Sequence, residues 1–546
     1  MANRSITLVS NLDTIIPYGR QVLGYTVPRI WLQWERAYLT QIAEIFNNTA
    51  PAQLIENGCN VTDSSGHTFR DCYKACGNAT TMFESPATLW NCVTLATLSI
   101  LTRQSHSTDK GKYYINSTQA ADANSSLNFG DLEQFDFPFG KYRPCAADSC
   151  TAFGRCDFNF SQFLAIPINN SRIPELASMM EGNYCTTAQA GIDLDIAGPG
   201  IIIAYFIQFG LVFFFAVSFT LITKWMEIDG SQLCSHYGFS EAIRSSITDL
   251  QETQASYLVT IASAAIATFF GTKGTGLANI STILSWMTND TILKGVVAAG
   301  SYPLLLIQLV LHAGKSRTWY TLLFVVVNAI LVFVMHLPKD MDDKSLLPHF
   351  QQAAVDLKSC GNNAGPRTFC GLGHDAANTT GHLAKTHDYL FKINSRFPHA
   401  IYAISAILVV DWAAHTIYDG YVYLCTEMKP VSTRIRSIFA SLQSASQAIQ
   451  YALSRFSYLV PYWIESQVSI RDVLSALKTA YRVFWAFLEL VTFGMCLLAI
   501  VEAKRFLVFL PKNSDGDTDI TKWPFGQLVS VAVWFPIVLK FLYLLV

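Results

Sequence analysis

Charge-free stretches of about twenty residues recur through the second part of this chain, with polar segments between them. The first, Gly200–Thr223, reads IIIAYFIQFGLVFFFAVSFTLIT after its opening glycine and is closed by Lys224 and Trp225. As a helix it is about 36 Å long at ~1.5 Å per residue, enough to cross a hydrocarbon core of ~30 Å with some tilt. The same pattern predicts further spans at 254–270, 295–312, 319–337, 399–423, 483–501 and 525–546, giving seven with the first at 200–223. The second is short and rich in small residues (Ala262, Ser263, Ala264, Ala265, Ala267), which permit close helix packing. The third carries Pro303, a kink that neighbouring helices must accommodate.

The first 198 residues have no such run. Residues 28–47 read as an amphipathic helix with Ile30, Trp34, Ile42, Ile45 and Phe46 toward one side, widened by Trp31 and Tyr38, a face for core packing. Phe135, Phe137 and Phe139, then Phe158 and Phe160, alternate with other residues and read as strand, broken by Pro138. The expected fold class is therefore an α-helical polytopic membrane protein of about seven transmembrane helices. Its N-terminal ectodomain, residues 1–198, is expected to be mixed α/β and stapled by disulfides, and the transmembrane domain to occupy 199–546. No signal peptide is visible, because Met1–Arg29 lacks an apolar core. Either the first span carries a long N-terminal tail across the membrane or a leader is missing from the sequence.

Composition agrees. Of 546 residues, 51% are hydrophobic and 14% charged, against roughly 25% charged in soluble chains. The net charge of −2 leaves no basic footprint for a nucleic acid. Eight of the thirteen cysteines precede the first span: Cys59, Cys72, Cys76, Cys92, Cys145, Cys150, Cys156 and Cys185. Cys360 and Cys370 share one polar loop, and their ten-residue separation suggests that they pair with each other. Even numbers in two segments point to disulfides and an oxidising compartment, with the connectivity of the first eight left open.

Glycosylation sequons are dense in the same region, at Asn3, Asn47, Asn60, Asn78, Asn116, Asn124, Asn159 and Asn169. Three more, at Asn279, Asn289 and Asn378, fall in loops after the second and fourth spans. Sequons and cysteines thus place the N-terminal domain and the loop 338–396 outside the cell. The segments 225–253 and 428–479 fall inside, the latter rich in Lys and Arg as cytoplasmic loops are. Beyond the fifth span the signals conflict: alternation puts Lys504, Arg505 and Lys512 outside and the charge rule puts them inside, so the side of the C-terminus stays open.

The sharpest chemical signal is ILVVDWAAHTIYDGY in the fifth span. Asp411, His415 and Asp419 stand at i, i+4 and i+8, one face of a helix. A carboxylate at mid-span costs ~2.5–3.5 kcal/mol on insertion scales, so it should face a cavity or a partner. A carboxylate beside an imidazole passes protons, attracts a cation or holds a metal ion; a polar cluster that only orients its helix is the structural alternative. Glu489, inside the sixth span, is a fourth candidate for a path, and Lys540, inside the seventh, and His312 and His336, at span ends, are candidate partners. Lys540, six residues from the last, reads as snorkelling to the interface.

Enzyme signatures are missing: there is no GxSxG elbow and no HExxH pair. GTKGTG at 271–276 lacks the phosphate-loop Lys-Ser/Thr, and Asp515, Asp517 and Asp519 lack the glycine and terminal glutamate of a calcium loop. His374, His382 and His387 are irregularly spaced surface histidines. No cofactor or metal is expected.

The expected function is conduction or transport of a small cation or proton at the plasma membrane or another membrane of the secretory pathway, along a path lined by Asp411, His415, Asp419 and Glu489. The alternative is a seven-helix receptor or adhesion protein whose ectodomain binds an extracellular ligand. An intramembrane metal hydrolase using Asp411 and His415 is a third reading. The bilayer is the expected partner, and small-residue helix faces allow a homo-oligomer.

Overall fold

A computed structural model describes residues 3–16, 20–22, 25–47, 50–105, 114–152, 163, 172–180, 184–185, 198–229, 236–270, 280, 282–313, 319–337, 350, 357–370, 382–427, 470–513 and 525–545. Cys156, Asn159, Asn169, Asn279 and Asn378, the motifs at 271–276 and 515–519, His374 and most of 428–479 lie outside them.

The N-terminal domain is built round one helical stretch. Helix α1 (Arg29–Glu35) continues through a π-helical turn, Arg36–Thr40, into α2 (Gln41–Asn47). Trp31, Trp34, Tyr38, Leu39 and Ile42 are buried, and so are Gln33 and Glu35 between them, so the stretch is wrapped on all sides rather than amphipathic. Helix α3 (Pro86–Ser105) packs against it. Strand content is small: the four strand pairs among the described residues are two to four residues long, the longest being Ile6–Val9 parallel to Ala52–Ile55. The expected strand near residue 135 is absent. Leu132–Gln134 is a 3-10 turn and Phe139–Ala152 is helix α4. Phe135 and Phe139 are both buried, and a spacing of four is helical as well as strand-like.

The bundle follows. Helices α5 (Pro199–Asp229), α6 (His236–Phe270), α7 (Ile283–Ala313), α8 (Trp319–His336), α9 (His382–Glu427) and α10 (Ile470–Asn513) are single long elements. The last segment is two helices, α11 (Phe525–Ala532) and α12 (Phe535–Leu545), broken where Pro536 removes a backbone donor. Among the described residues six stretches are long and apolar enough to cross a membrane: Pro199–Leu221, Ile283–Ala313, Trp319–His336, Pro398–Gly420, Thr479–Arg505 and Gly526–Leu545. The expected span 254–270 is helical, as the second half of α6, but is not among the six. Large apolar side chains face outward on the bundle, including Leu221, Ile330, Phe333, Leu490, Leu498 and Leu539. Exposure on that scale fits lipid, not water.

Helix α7 is the axis. It packs against α5, α6, α8, α9 and α10, and nearly every residue from Ile283 to His312 is buried. Because protein surrounds it, it tolerates Asp290, Lys294, Ser301 and Gln308, which a lipid-facing helix would not. It also begins twelve residues earlier than the hydropathy pattern predicts. Asn289, expected in an exposed loop, is buried in the helix and donates from Nδ2 to the Ser285 carbonyl at 2.8 Å, so it has no room for a glycan. Asn47, Asn60, Asn78 and Asn116 are exposed, and Asn124 is half-buried.

The loop 357–370 is part of the N-terminal domain, which the 1–198 boundary does not anticipate. Cys360 pairs with Cys145 and Cys370 with Cys185, rather than with each other. Cys59–Cys72 and Cys76–Cys92 are local pairs, and Cys150 is also disulfide-bonded. Phe369 packs against both Trp34 and Tyr38, ring centroids 5.7 and 5.9 Å away. Arg367 is buried and donates to the Tyr184 carbonyl at 2.6 Å. Gly361 has φ +62°, and a Cβ there would lie 2.4 Å from the Thr80 backbone, so the turn requires glycine.

The domain meets the bundle on α7. The Tyr25 hydroxyl donates to the Asp290 carboxylate and accepts from Lys294 Nζ at 2.8 Å, while Lys294 pairs with Asp290 one turn away at 2.8 Å. Burial, and then the neighbouring Asp290 charge, push the Tyr25 phenol well above its ordinary value.

Candidate functional site

At the other end of α7, about 33 Å from Asp290 by helical rise, a second polar cluster forms. Three helices supply it. His312 is the penultimate residue of α7; α9 contributes Asp411 and His415; α10 contributes Tyr481 and Trp485. His312 Nε2 lies 2.5 Å from Asp411 Oδ2. His415 Nδ1 is 3.2 Å from the same oxygen and 2.9 Å from the Asp411 carbonyl, one turn back. A carbonyl only accepts, which places the His415 proton on Nδ1. The Tyr481 hydroxyl donates to Asp411 Oδ1 at 2.9 Å.

Packing shields the cluster unevenly. The side chain of His312 is 4% exposed, that of Asp411 13% and that of His415 40%. The Trp485 ring lies 4.5 Å from that of His312, tilted by 33°, and covers it. His415 and Tyr481 form the open side. One carboxylate thus has two imidazoles and one phenol around it, with a sheltered end and an accessible end. No known family, curated protein or solved structure matches this chain. The site must be read from its own chemistry.

The sequence-derived candidates divide. Asp411 and His415 are brought together. Asp419 is exposed two turns further along α9. Glu489 is half-buried on the face of α10 that carries Tyr481 and Trp485, at i+8 from Tyr481 and so about 12 Å along the helix. His312, at a span end, is the partner that Asp411 finds; Tyr481 and Trp485 carry no distinct signal in the sequence, since an aromatic at the start of a span usually marks a membrane interface. Lys540 is engaged with Asp249 of α6, not with Glu489 or Asp411. His336 Nδ1 bonds the Val332 carbonyl of its own helix at 2.8 Å. Among the described residues the one cysteine group close enough for a metal ion is Cys59, Cys76 and Cys92, and disulfides consume all three.

Proposed function

We propose that this multi-pass membrane protein transfers a proton or a small cation, with Asp411 as the group that takes it up. The observation that supports this is one largely buried carboxylate contacted by His312, His415 and Tyr481, side chains drawn from three helices. Imidazoles change charge near neutral pH, so such a cluster can load and unload in the physiological range. In this reading α6 is the seventh crossing, the N-terminal domain faces the outside of the cell, and the exposed sequons carry glycans. His415 and the exposed Asp419 form the inner mouth, and Glu489 flanks the path in the membrane. The protein is not an enzyme on this view; zinc found in the purified protein would favour a hydrolase built on Asp411 and His415 instead.

Flux in proteoliposomes, wild type beside Asp411→Asn between pH 5 and 8, tests the proposal. A pH-dependent flux that the variant loses supports it; equal flux in the two removes Asp411 from the path.

The second reading, a receptor, has its own support. The domain is tied to the loop 357–370 by two disulfides and to the axial helix through Tyr25. Movement in an extracellular ligand site would therefore reach α7. Ligand response that survives deletion of the domain would count against it.

A further inference from the structure

Between its two charged ends, α7 is lined by buried polar groups that the bundle leaves incompletely satisfied. The Asn328 amide donates to Ser301 Oγ at 2.7 Å, while Asn328 Oδ1 meets no partner. The Tyr205 hydroxyl, fully buried, also meets none; it lies over Gly300, where a Cβ would sit 2.7 Å from it. Tyr205 faces Tyr257 across α5 and α6, ring centroids 6.4 Å apart. Those helices run antiparallel, so the next turn brings Gln208 level with Gln254. Both are 0% exposed, and neither amide finds a donor or an acceptor. One turn further, Gln251 donates to Gln308 at 3.0 Å and keeps a free Oε1. Gln308 is one turn from His312.

We propose that ordered water fills this file, from Ser301 to His312, and that the ion it delivers to Asp411 is a proton. The inference rests on the transport reading of Asp411 above. Buried amides and hydroxyls are paired with protein or with water, and here protein does not suffice. From Ser301 to His312 the file is about 17 Å long, with steps of about one turn, 5.4 Å, the reach of one bridging water. Each level offers two or three neutral side-chain oxygens. A metal cation stripped of its shell needs about six, whereas a proton needs only a hydrogen-bonded chain. Each transfer breaks one O–H bond and forms the next. No electrons change hands, and the proton taken up at Ser301 is balanced by one given to the Asp411 carboxylate. The glutamines anchor water and do not themselves ionise.

Radiolytic hydroxyl labelling of the full-length protein in lipid nanodiscs tests the water directly. Tyr205 should label at least tenfold faster than Tyr38, which is also buried but sits in the aromatic stack of the N-terminal domain with its hydroxyl bonded to the Ala364 carbonyl. Equal, slow labelling of the two overturns the file. In proteoliposomes, Gln208→Leu combined with Gln254→Leu should lower proton flux at least tenfold and slow Tyr205 labelling, with the wild-type measurement standing if the variant does not fold. Unchanged flux in a folded variant overturns the inference, as does flux that follows a sodium or potassium gradient and not pH. Fast Tyr205 labelling without any wild-type flux overturns the transport reading and the proton assignment together. Flux with slow Tyr205 labelling overturns the file and leaves the Asp411 reading standing.

Discussion

The two ends of α7 hold similar groups arranged for different ends. At the domain end Asp290 meets Lys294 one turn along the same helix, and Tyr25 of the N-terminal domain bonds to both. At the far end Asp411 meets two histidines and a tyrosine drawn from three helices. A lysine is a permanent counter-charge across physiological pH; an imidazole is not. The first arrangement is a closed joint that fixes the domain on the bundle. The second is assembled from three helices and has an open side, at His415. Carboxylates inside a membrane domain are therefore distinguished by their partners, not by depth: a fixed cation argues for structure, a titrating partner for function.

The widest separation of the two ends should come from removing one partner at each. Lys294→Met leaves Asp290 buried without its cation and should cost about 3–5 kcal/mol, most of it recovered when Asp290→Asn is added. Asp411→Asn keeps an acceptor for Tyr481 and removes a charge, so it should change stability by less than about 1 kcal/mol while removing flux. Thermal unfolding of the two variants and the double variant in detergent, set beside proteoliposome flux, checks both halves. A flux defect in a stably folded Lys294→Met protein would break the distinction.

The sequence made the far end more legible than the near one. Asp411 and His415 stand out because lipid-facing residues surround them, so any charge is conspicuous. Asp290 and Lys294 lie in a helix shielded by other protein, where polar residues are tolerated and hydropathy carries no signal. They looked like loop, and the sequon at Asn289 strengthened that impression. The second half of α6, expected to span at 254–270, is not among the six apolar stretches, and Gln251 and Gln254 beside it are fully buried in the bundle. Cysteine proximity failed differently. Cys360 and Cys370 are neighbours in the chain, but the loop folds back onto α4, and partners 215 and 185 residues away outcompete the local pairing. The six apolar helices and the cysteine-bonded N-terminal domain were readable because lipid and oxidation impose local patterns. Pairings across the fold do not.

Those two long-range disulfides give the next contrast. Replacing Cys145 and Cys360 together by serine should cost the N-terminal domain about 2–5 kcal/mol, since the bridge holds the loop that buries Phe369 and Arg367. The readout is thermal unfolding under non-reducing conditions, with faster proteolysis near Gly361. The pH response of flux should stay where it is in wild type, because the far end shares no residue with this joint. A moved pH response would show that the domain and the Asp411 cluster are coupled, and would favour the receptor reading.

The smallest and most specific comparison is between the two tyrosines. Tyr25→Phe removes a buried hydrogen bond to a charged group and should destabilise by about 1.5–3 kcal/mol; Tyr481→Phe, at an exposed position, should cost under about 0.5 kcal/mol. Their pH signatures differ as well. The Tyr25 phenol is pushed up in the folded protein, so its contribution is complete below about 10, the value of an unfolded tyrosine. It is lost as pH rises beyond that, through the higher folded value. Wild type should therefore lose stability between pH 10 and 11 more steeply than Tyr25→Phe. Tyr481→Phe should match wild type there and instead shift the midpoint of flux between pH 5 and 8, because it removes one of the donors to Asp411. Alkaline unfolding curves for both variants, beside their flux profiles, decide whether the phenol at each end serves the joint or the site.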